Sequence, residues 1–254
     1  MSKPTLVLVH GAYHCPKHLE PLQTNLEGHG YKCVPVSLSS TQSTDLPPAT
    51  LQDDTAAVRN AVISELDRGN NVVVVAHSYG GVPANNALKD LDTASRQAAR
   101  ATTSVTALAF LCSMPQPAGV VLATLQDDEK GCHDRRDSKH FCWVKENPGP
   151  AFYFYNDLPE AEAKAWCDLL RPMSWVALES ATEYAAYLDV PSSYLFCTRD
   201  NTLPLPAQEY MVQTAIAAGA RMTTDSVDAG HSPFLSKIEE TGAFIRRAAG
   251  GGDV

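Results

Sequence analysis

Residues 72–81 read Val-Val-Val-Val-Ala-His-Ser-Tyr-Gly-Gly. Four β-branched residues and an alanine lead into Ala76-His77-Ser78-Tyr79-Gly80, and a helical pattern follows over Tyr79–Leu91. An unbroken apolar run that passes at once into a helix predicts a strand buried on both faces, ending in a sharp turn at its carboxyl end. Small residues two places before and after the serine, Ala76 and Gly80, let strand and helix approach closely around it; the usual form of this turn has glycine at both places. Such a turn lifts the hydroxyl above the sheet and aims the next backbone N–H groups, with the partial positive charge of the helix start, at the same point. A serine that merely capped a helix would leave its small neighbours without a reason. Ser78 is therefore predicted to be a nucleophile.

Outward from this stretch the same alternation repeats. Strands are predicted at Thr5–Val9, Lys32–Val36, Val72–Ala76, Val105–Leu111, Ser193–Cys197 and Met222–Val227, with helices at Lys17–Glu27, Leu51–Asp67, Ala207–Ala218 and Pro233–Ala248. Apolar strands separated by helices imply an α/β fold of three layers, a roughly six-stranded parallel sheet flanked by helices. Residues 114–190 interrupt the alternation, so the core is read as 1–113 plus 191–254 and the insertion as a helical lid. The insertion holds all three tryptophans (Trp143, Trp166, Trp175), the cluster Phe152–Tyr155, and helical patterns at Glu160–Leu170 and Val176–Tyr187. Ligand crevices of open parallel sheets lie at the carboxyl ends of the strands, where an aromatic insertion forms a natural lid. Residues 250–254 read as a frayed tail.

A nucleophilic serine needs a base to take its proton. In a sheet of this kind the order along the chain is serine, acid, histidine. Of eight histidines only His231 follows the insertion, in Asp228-Ala229-Gly230-His231, just past the last strand. The orienting acid should follow an earlier strand, and Tyr194–Asp200 supplies strand, short turn and carboxylate. Asp225 and Asp228 compete by proximity to His231, but the first lies within a strand and the second is suited to bracing the loop. Asp200 is thus expected to hold the imidazole in the correct tautomer. The oxyanion would be met by the backbone N–H groups of Tyr79 and Ala12. Tyr13, Met114, Trp143, Tyr153 and Trp175 are candidate substrate-binding residues, an aromatic wall suited to an apolar or aromatic group.

Composition narrows the setting. The 254 residues carry 29 acidic against 20 Lys and Arg residues, a net charge of −9, which disfavours a nucleic-acid partner. No apolar run approaches the roughly 18 residues of a membrane span, and the short N-terminal run does not resemble a secretory leader. Seven scattered cysteines, an odd number, suit reduced thiols in a cytoplasmic protein better than a disulfide framework. Cys132, His133, His140 and Cys142 match zinc in ligand type, but their spacing fits no familiar site and the residues between are charged, so no metal is expected, nor a Cys132–Cys142 disulfide.

These residues resemble the α/β-hydrolase superfamily, and within it the methylesterase and hydroxynitrile-lyase-like branch. The resemblance rests on LVLVHGAYH (6–14), AHSYGG (76–81), CTRDNTLP (197–204) and DAGHSPF (228–234), and it weakens through the insertion. It implies a compact six-stranded core, no metal and no organic cofactor. Members that cleave cyanohydrins carry threonine where this chain has Gly11 and lysine where it has Ser232. The resemblance therefore implies hydrolysis of a small ester or lactone through an acyl-enzyme, rather than lyase chemistry. Acyl transfer or cyclisation on a natural product, and a ligand-binding receptor on the same fold, remain rival readings, and a homodimer is one open state of assembly.

Overall fold

The computed structural model describes residues 3–125, 131–136 and 138–251; Asp137 in the charged part of the insertion and most of the glycine-rich tail lie outside them. The central strands are those the sequence marked: β1 (Thr5–Val9), β2 (Cys33–Val36), β3 (Val72–His77) and β4 (Val105–Leu111), followed beyond the insertion by β8 (Ser192–Cys197) and β9 (Met222–Val227). They form one six-stranded sheet in the order β2-β1-β3-β4-β8-β9, parallel throughout. Every residue of β1 and β3 is buried, as strands covered on both faces require. Pro35 sits exposed in β2 at the sheet edge, where a missing N–H leaves no gap in the ladder.

The helices are α1 (Glu20–Gly28), α2 (Leu51–Asp67), α3 (Gly81–Ala87), α4 (Thr93–Ala98), α8 (Leu205–Ala217), α9 (Pro233–Ser236) and α10 (Ile238–Ala248). Right-handed crossovers place them: the chain runs outward from β1 to β2, then back across β1 to β3, so α1 and α2 take opposite faces. α10 packs on α1 and α3 packs on α2, completing the two outer layers. The strand order reverses between β1 and β3, which opens a crevice at their carboxyl ends. Among the described residues no helix is long and apolar enough to cross a membrane.

Several elements differ from expectation. A 3-10 turn, Ser78–Gly80, precedes α3, which stops at Ala87; near its end Asn86 turns its amide oxygen to the N–H groups of Glu183 and Tyr184. The last helix breaks at Lys237, whose φ of −137° and ψ of 53° are not helical, into α9 and α10. The segment between β4 and β8 is less helical than its pattern suggests. It contains a three-stranded antiparallel sheet of β5 (His133–Asp134), β6 (Phe141–Val144) and β7 (Met173–Ser174), and the short helices α5 (Pro150–Phe154), α6 (Glu160–Cys167) and α7 (Trp175–Leu178). The helix expected over Val176–Tyr187 ends after one turn because Thr182 exchanges backbone hydrogen bonds with Gly119 and Val120.

His10, the first residue after β1, ties the crevice loops together. Its Nδ1 donates to the Gly11 carbonyl at 2.9 Å and its Nε2 accepts the Leu38 N–H at 3.2 Å, so the fold uses the neutral ring. Burial pushes its pKa down from 6.5 to about 4. The unfolded chain therefore binds the extra proton between those values, and stability falls as pH drops through that window. From neutral pH to about pH 5, His10 accounts for a loss of about 2 kcal/mol, read as the extra decline in urea-unfolding free energy of the native protein over His10→Gln.

Candidate active site

Ser78 has φ of 51°, a left-handed conformation that an L-residue adopts only when its surroundings impose it. The imposition is visible at two glycines. A Cβ on Gly80 would lie 2.5 Å from the His10 carbonyl oxygen and 2.9 Å from that of Val9, so the turn after β3 presses directly on the end of β1. A Cβ on Gly11 would meet His77 Nδ1 at 2.8 Å and Ser78 Cβ at 2.9 Å. Ser113, just past β4, donates its hydroxyl to the Ser78 carbonyl at 2.7 Å. Ala76, where glycine is usual, is wholly buried between its β1 and β4 neighbours Val9 and Phe110.

Above this turn the structure brings Ser78, His231 and Asp200 into one line. His231 Nε2 lies 2.9 Å from Ser78 Oγ, and His231 Nδ1 lies 2.7 Å from Asp200 Oδ2. Asp200 Oδ1 accepts the N–H groups of Thr202 at 2.7 Å and Leu203 at 2.8 Å, which fixes the carboxylate plane. The His231 carbonyl accepts from His77 Nε2 at 2.8 Å and from the Cys112 thiol at 3.3 Å. The competing acids point elsewhere: Asp225 is paired with Arg247 and Asp228 with Arg199.

The insertion braces both loops. Asp157 accepts the Gly230 N–H at 2.7 Å, beside His231, and Asn156 donates to the Arg199 carbonyl at 2.9 Å, beside Asp200. Neither residue is marked by any motif, because their role is carried by contact with loops far away in the chain.

Ser78 opens into a cavity of about 380 Å³. Ala12, Tyr13, Tyr79 and Met114 line it. Tyr79 spends its phenol on buried Asp54 at 2.8 Å, and Ala12 lends its carbonyl to His14 Nδ1 at 2.7 Å, which anchors both loops. Trp143, Tyr153 and Trp175 are not cavity residues. Trp143 lies under the Arg136 guanidinium, and Trp175 is turned to Glu179 and Arg135. Tyr153 yields its place to Phe154, whose ring lies 5.7 Å from that of His231. The wall is completed by Leu122, Leu178 and the stretch after Asp200, including Leu203 and Met211. The last stretch follows directly from an acid on the crevice rim, a signal the sequence carried.

The four side chains with zinc-like chemistry do not form a site: Cys142 and His133 both bond to Tyr13, and His140 is exposed. Among the described residues, a group of three such ligands comes together only as His77, Cys112 and His231, which are engaged in the hydrogen bonds given above.

A parallel sheet with a reversed strand order, a strained serine at its switch point and a histidine–carboxylate pair against that serine define the α/β-hydrolase class. The family model described as alpha/beta hydrolase matches residues 6–244, and the chain belongs to that family. It is 29% identical to alpha/beta hydrolase nvfD of Aspergillus novofumigatus, over 98% of both chains. It is 28% identical to probable hydrolase R7 of a Phoma species, over 98% of this chain and all of the relative. Similar solved structures include a pyrethroid hydrolase from Sphingobium faniae (TM-score 0.73, 19% identity, 97% of both chains) and the methylesterase MES16 from Arabidopsis (TM-score 0.74, 20% identity, 97% of this chain and 99% of that one).

Because the turn is held by backbone pressing on backbone, Gly80→Ala should cost about 3 kcal/mol or more and lower the thermal midpoint by several degrees. Gly28→Ala, where a Cβ meets nothing within 4 Å, should leave the midpoint unchanged or slightly raised in the same calorimetric scan.

Proposed function

We propose that this chain is a serine hydrolase that cleaves a carboxylic ester or lactone of a small, largely apolar molecule through an acyl-enzyme. The observation that carries the reading is the continuous line Asp200–His231–Ser78, at 2.7 and 2.9 Å, at the floor of the cavity. In the first step Ser78 Oγ forms a bond to the ester carbonyl carbon as His231 Nε2 takes the hydroxyl proton. Asp200 stabilises the resulting imidazolium, and the amides of Ala12 and Tyr79 receive the oxyanion. Collapse breaks the bond to the alkoxy oxygen, which leaves with the proton from His231. Water then attacks the acyl-enzyme by the same route, returning Ser78 and releasing the acid. From a lactone, acid and alcohol leave as one hydroxy acid. The steps require no metal or organic cofactor.

The largely apolar cavity favours an apolar acyl or alkyl group, and the segment 114–190, which supplies Met114, Leu122, Phe154 and Leu178, acts as the lid. Two features weigh against lyase chemistry. A threonine at position 11 has no room against Ser78 and His77, and a lysine at position 232 would stand where Ser232 is completely buried. The seven free thiols support a reducing, cytoplasmic setting.

A fluorophosphonate should label the protein, and Ser78→Ala should abolish the label. Against a panel of aryl, alkyl and lactone esters, Ser78→Ala and His231→Ala should each lower kcat roughly ten-thousand-fold or more, and Asp200→Asn should have a loss of similar order. Labelling without release of alcohol from any ester would instead indicate a receptor, and ester formation with added alcohol an acyl transferase.

A further inference from the structure

His133 stands on β5, half-buried, and lines the same cavity as Ser78, as do Cys132 and Tyr13. Its Nδ1 is bonded to the Tyr13 hydroxyl. That hydroxyl donates to Cys142 Sγ at 3.3 Å, and the Cys142 thiol donates to the Met173 carbonyl at 3.6 Å. A main-chain carbonyl can only accept, so the direction of the whole chain follows from its end. The thiol gives its single hydrogen to Met173 and its sulfur accepts. The phenol gives its single hydrogen to that sulfur and its oxygen accepts. The imidazole must then donate from Nδ1. A neutral imidazole with its hydrogen on Nδ1 carries a bare lone pair on Nε2.

Burial, helped by the charge of Lys145, keeps the ring neutral by lowering its pKa to about 4. Among the described residues the hydrogen bonding of His133 is confined to Nδ1, so Nε2 is the nitrogen left for a ligand. The ring cannot easily turn: Trp175 meets it edge-on at 5.8 Å, and Tyr13 is itself fixed by burial and by accepting the Arg171 N–H on its carbonyl at 2.9 Å. Two other polar side chains on the wall, Thr202 and Asn201, are spent on the protein. Thr202 donates to the Tyr153 carbonyl at 2.7 Å and Asn201 to that of Phe152 at 3.0 Å.

We propose that His133 is a specificity-determining residue whose Nε2 accepts a hydrogen bond from a hydroxyl on the substrate's apolar body, so that the preferred substrate is an apolar ester or lactone bearing a hydroxyl or phenol. The proposal rests on the reading of Ser78 as the nucleophile that takes the ester carbonyl. A substrate without the hydroxyl leaves a buried acceptor stripped of water and unpaired, and discrimination follows from that loss.

The test uses the methyl esters of phenylpropanoic acid and of its ortho-, meta- and para-hydroxy and methoxy derivatives. Two readouts are taken: kcat/KM in the native protein and affinity for the Ser78→Ala protein by calorimetry. One hydroxy isomer should exceed its methoxy and unsubstituted counterparts by about tenfold in both. His133→Phe should erase that ratio, and Tyr13→Phe, which removes the phenol that fixes the tautomer, should reduce it. Ratios near one in the native protein, or a preference that survives both substitutions, would overturn the proposal. Hydrolysis blind to the hydroxyl overturns it while leaving the hydrolase reading intact. Binding to Ser78→Ala that ranks the hydroxy isomer first and loses that order with His133→Phe, without turnover of any ester, upholds it and removes the hydrolase reading instead.

Discussion

The active geometry depends on one close approach, that of the turn after β3 to the end of β1. Ser78 sits in a backbone conformation that costs roughly 1–3 kcal/mol, and it stays there because the chain has nowhere else to go. Gly80 lies against the carbonyls of Val9 and His10, Gly11 lies against Ser78 itself, and Ser113 holds the Ser78 carbonyl from the β4 side. These contacts all fall where the strand order reverses, so the sheet that fixes the serine also opens the crevice in front of it. Strain and access therefore have a single cause.

The other two members of the line are loop residues, which rigid strands alone would not fix. Asp200 is held by two backbone N–H groups in addition to His231, and the His231 carbonyl by His77 and Cys112. Asn156 and Asp157 then join the Asp200 and His231 loops to the insertion. Gly230 makes this joint possible, since a Cβ there would lie 2.2 Å from the Asn156 side-chain oxygen. The insertion is thus part of the scaffold that aligns histidine and acid, in addition to supplying cavity wall.

How much of this could be read from residues alone follows the range of the interactions. β1, β3 and β4 were legible because burial on both faces leaves a nearly unbroken apolar run, whereas β2, β8 and β9 were legible as short stretches between helical patterns; Ser78, His231 and Asp200 were legible because each follows a strand in a fixed order along the chain. The insertion was not, because its strands are two to four residues long and held by partners distant in sequence, too short to show a period. α4 escaped for the same reason: six residues, none buried, started by the Asp92 cap. The cavity wall was half legible. Aromatic type led to Trp143, Tyr153 and Trp175, whereas what places a residue on the wall is the direction of its side chain, and in α5 that direction belongs to Phe154.

The floor of the cavity is surrounded by imidazoles, and their electrostatics separate one from the rest. Burial drives His14 and His77 well below the ordinary histidine range, and His10 and His133 to about 4. Each of these rings bonds to neutral groups: backbone carbonyls and amides, or a tyrosine hydroxyl. Among the described residues His231 is the imidazole hydrogen-bonded to a carboxylate, at 2.7 Å. In the proposed reaction, a proton leaving Ser78 would be passed among rings that burial keeps neutral to the one that is hydrogen-bonded to Asp200. On the proposed mechanism the neighbouring histidines direct the proton by exclusion, and the base is selected by its partner rather than by its residue type.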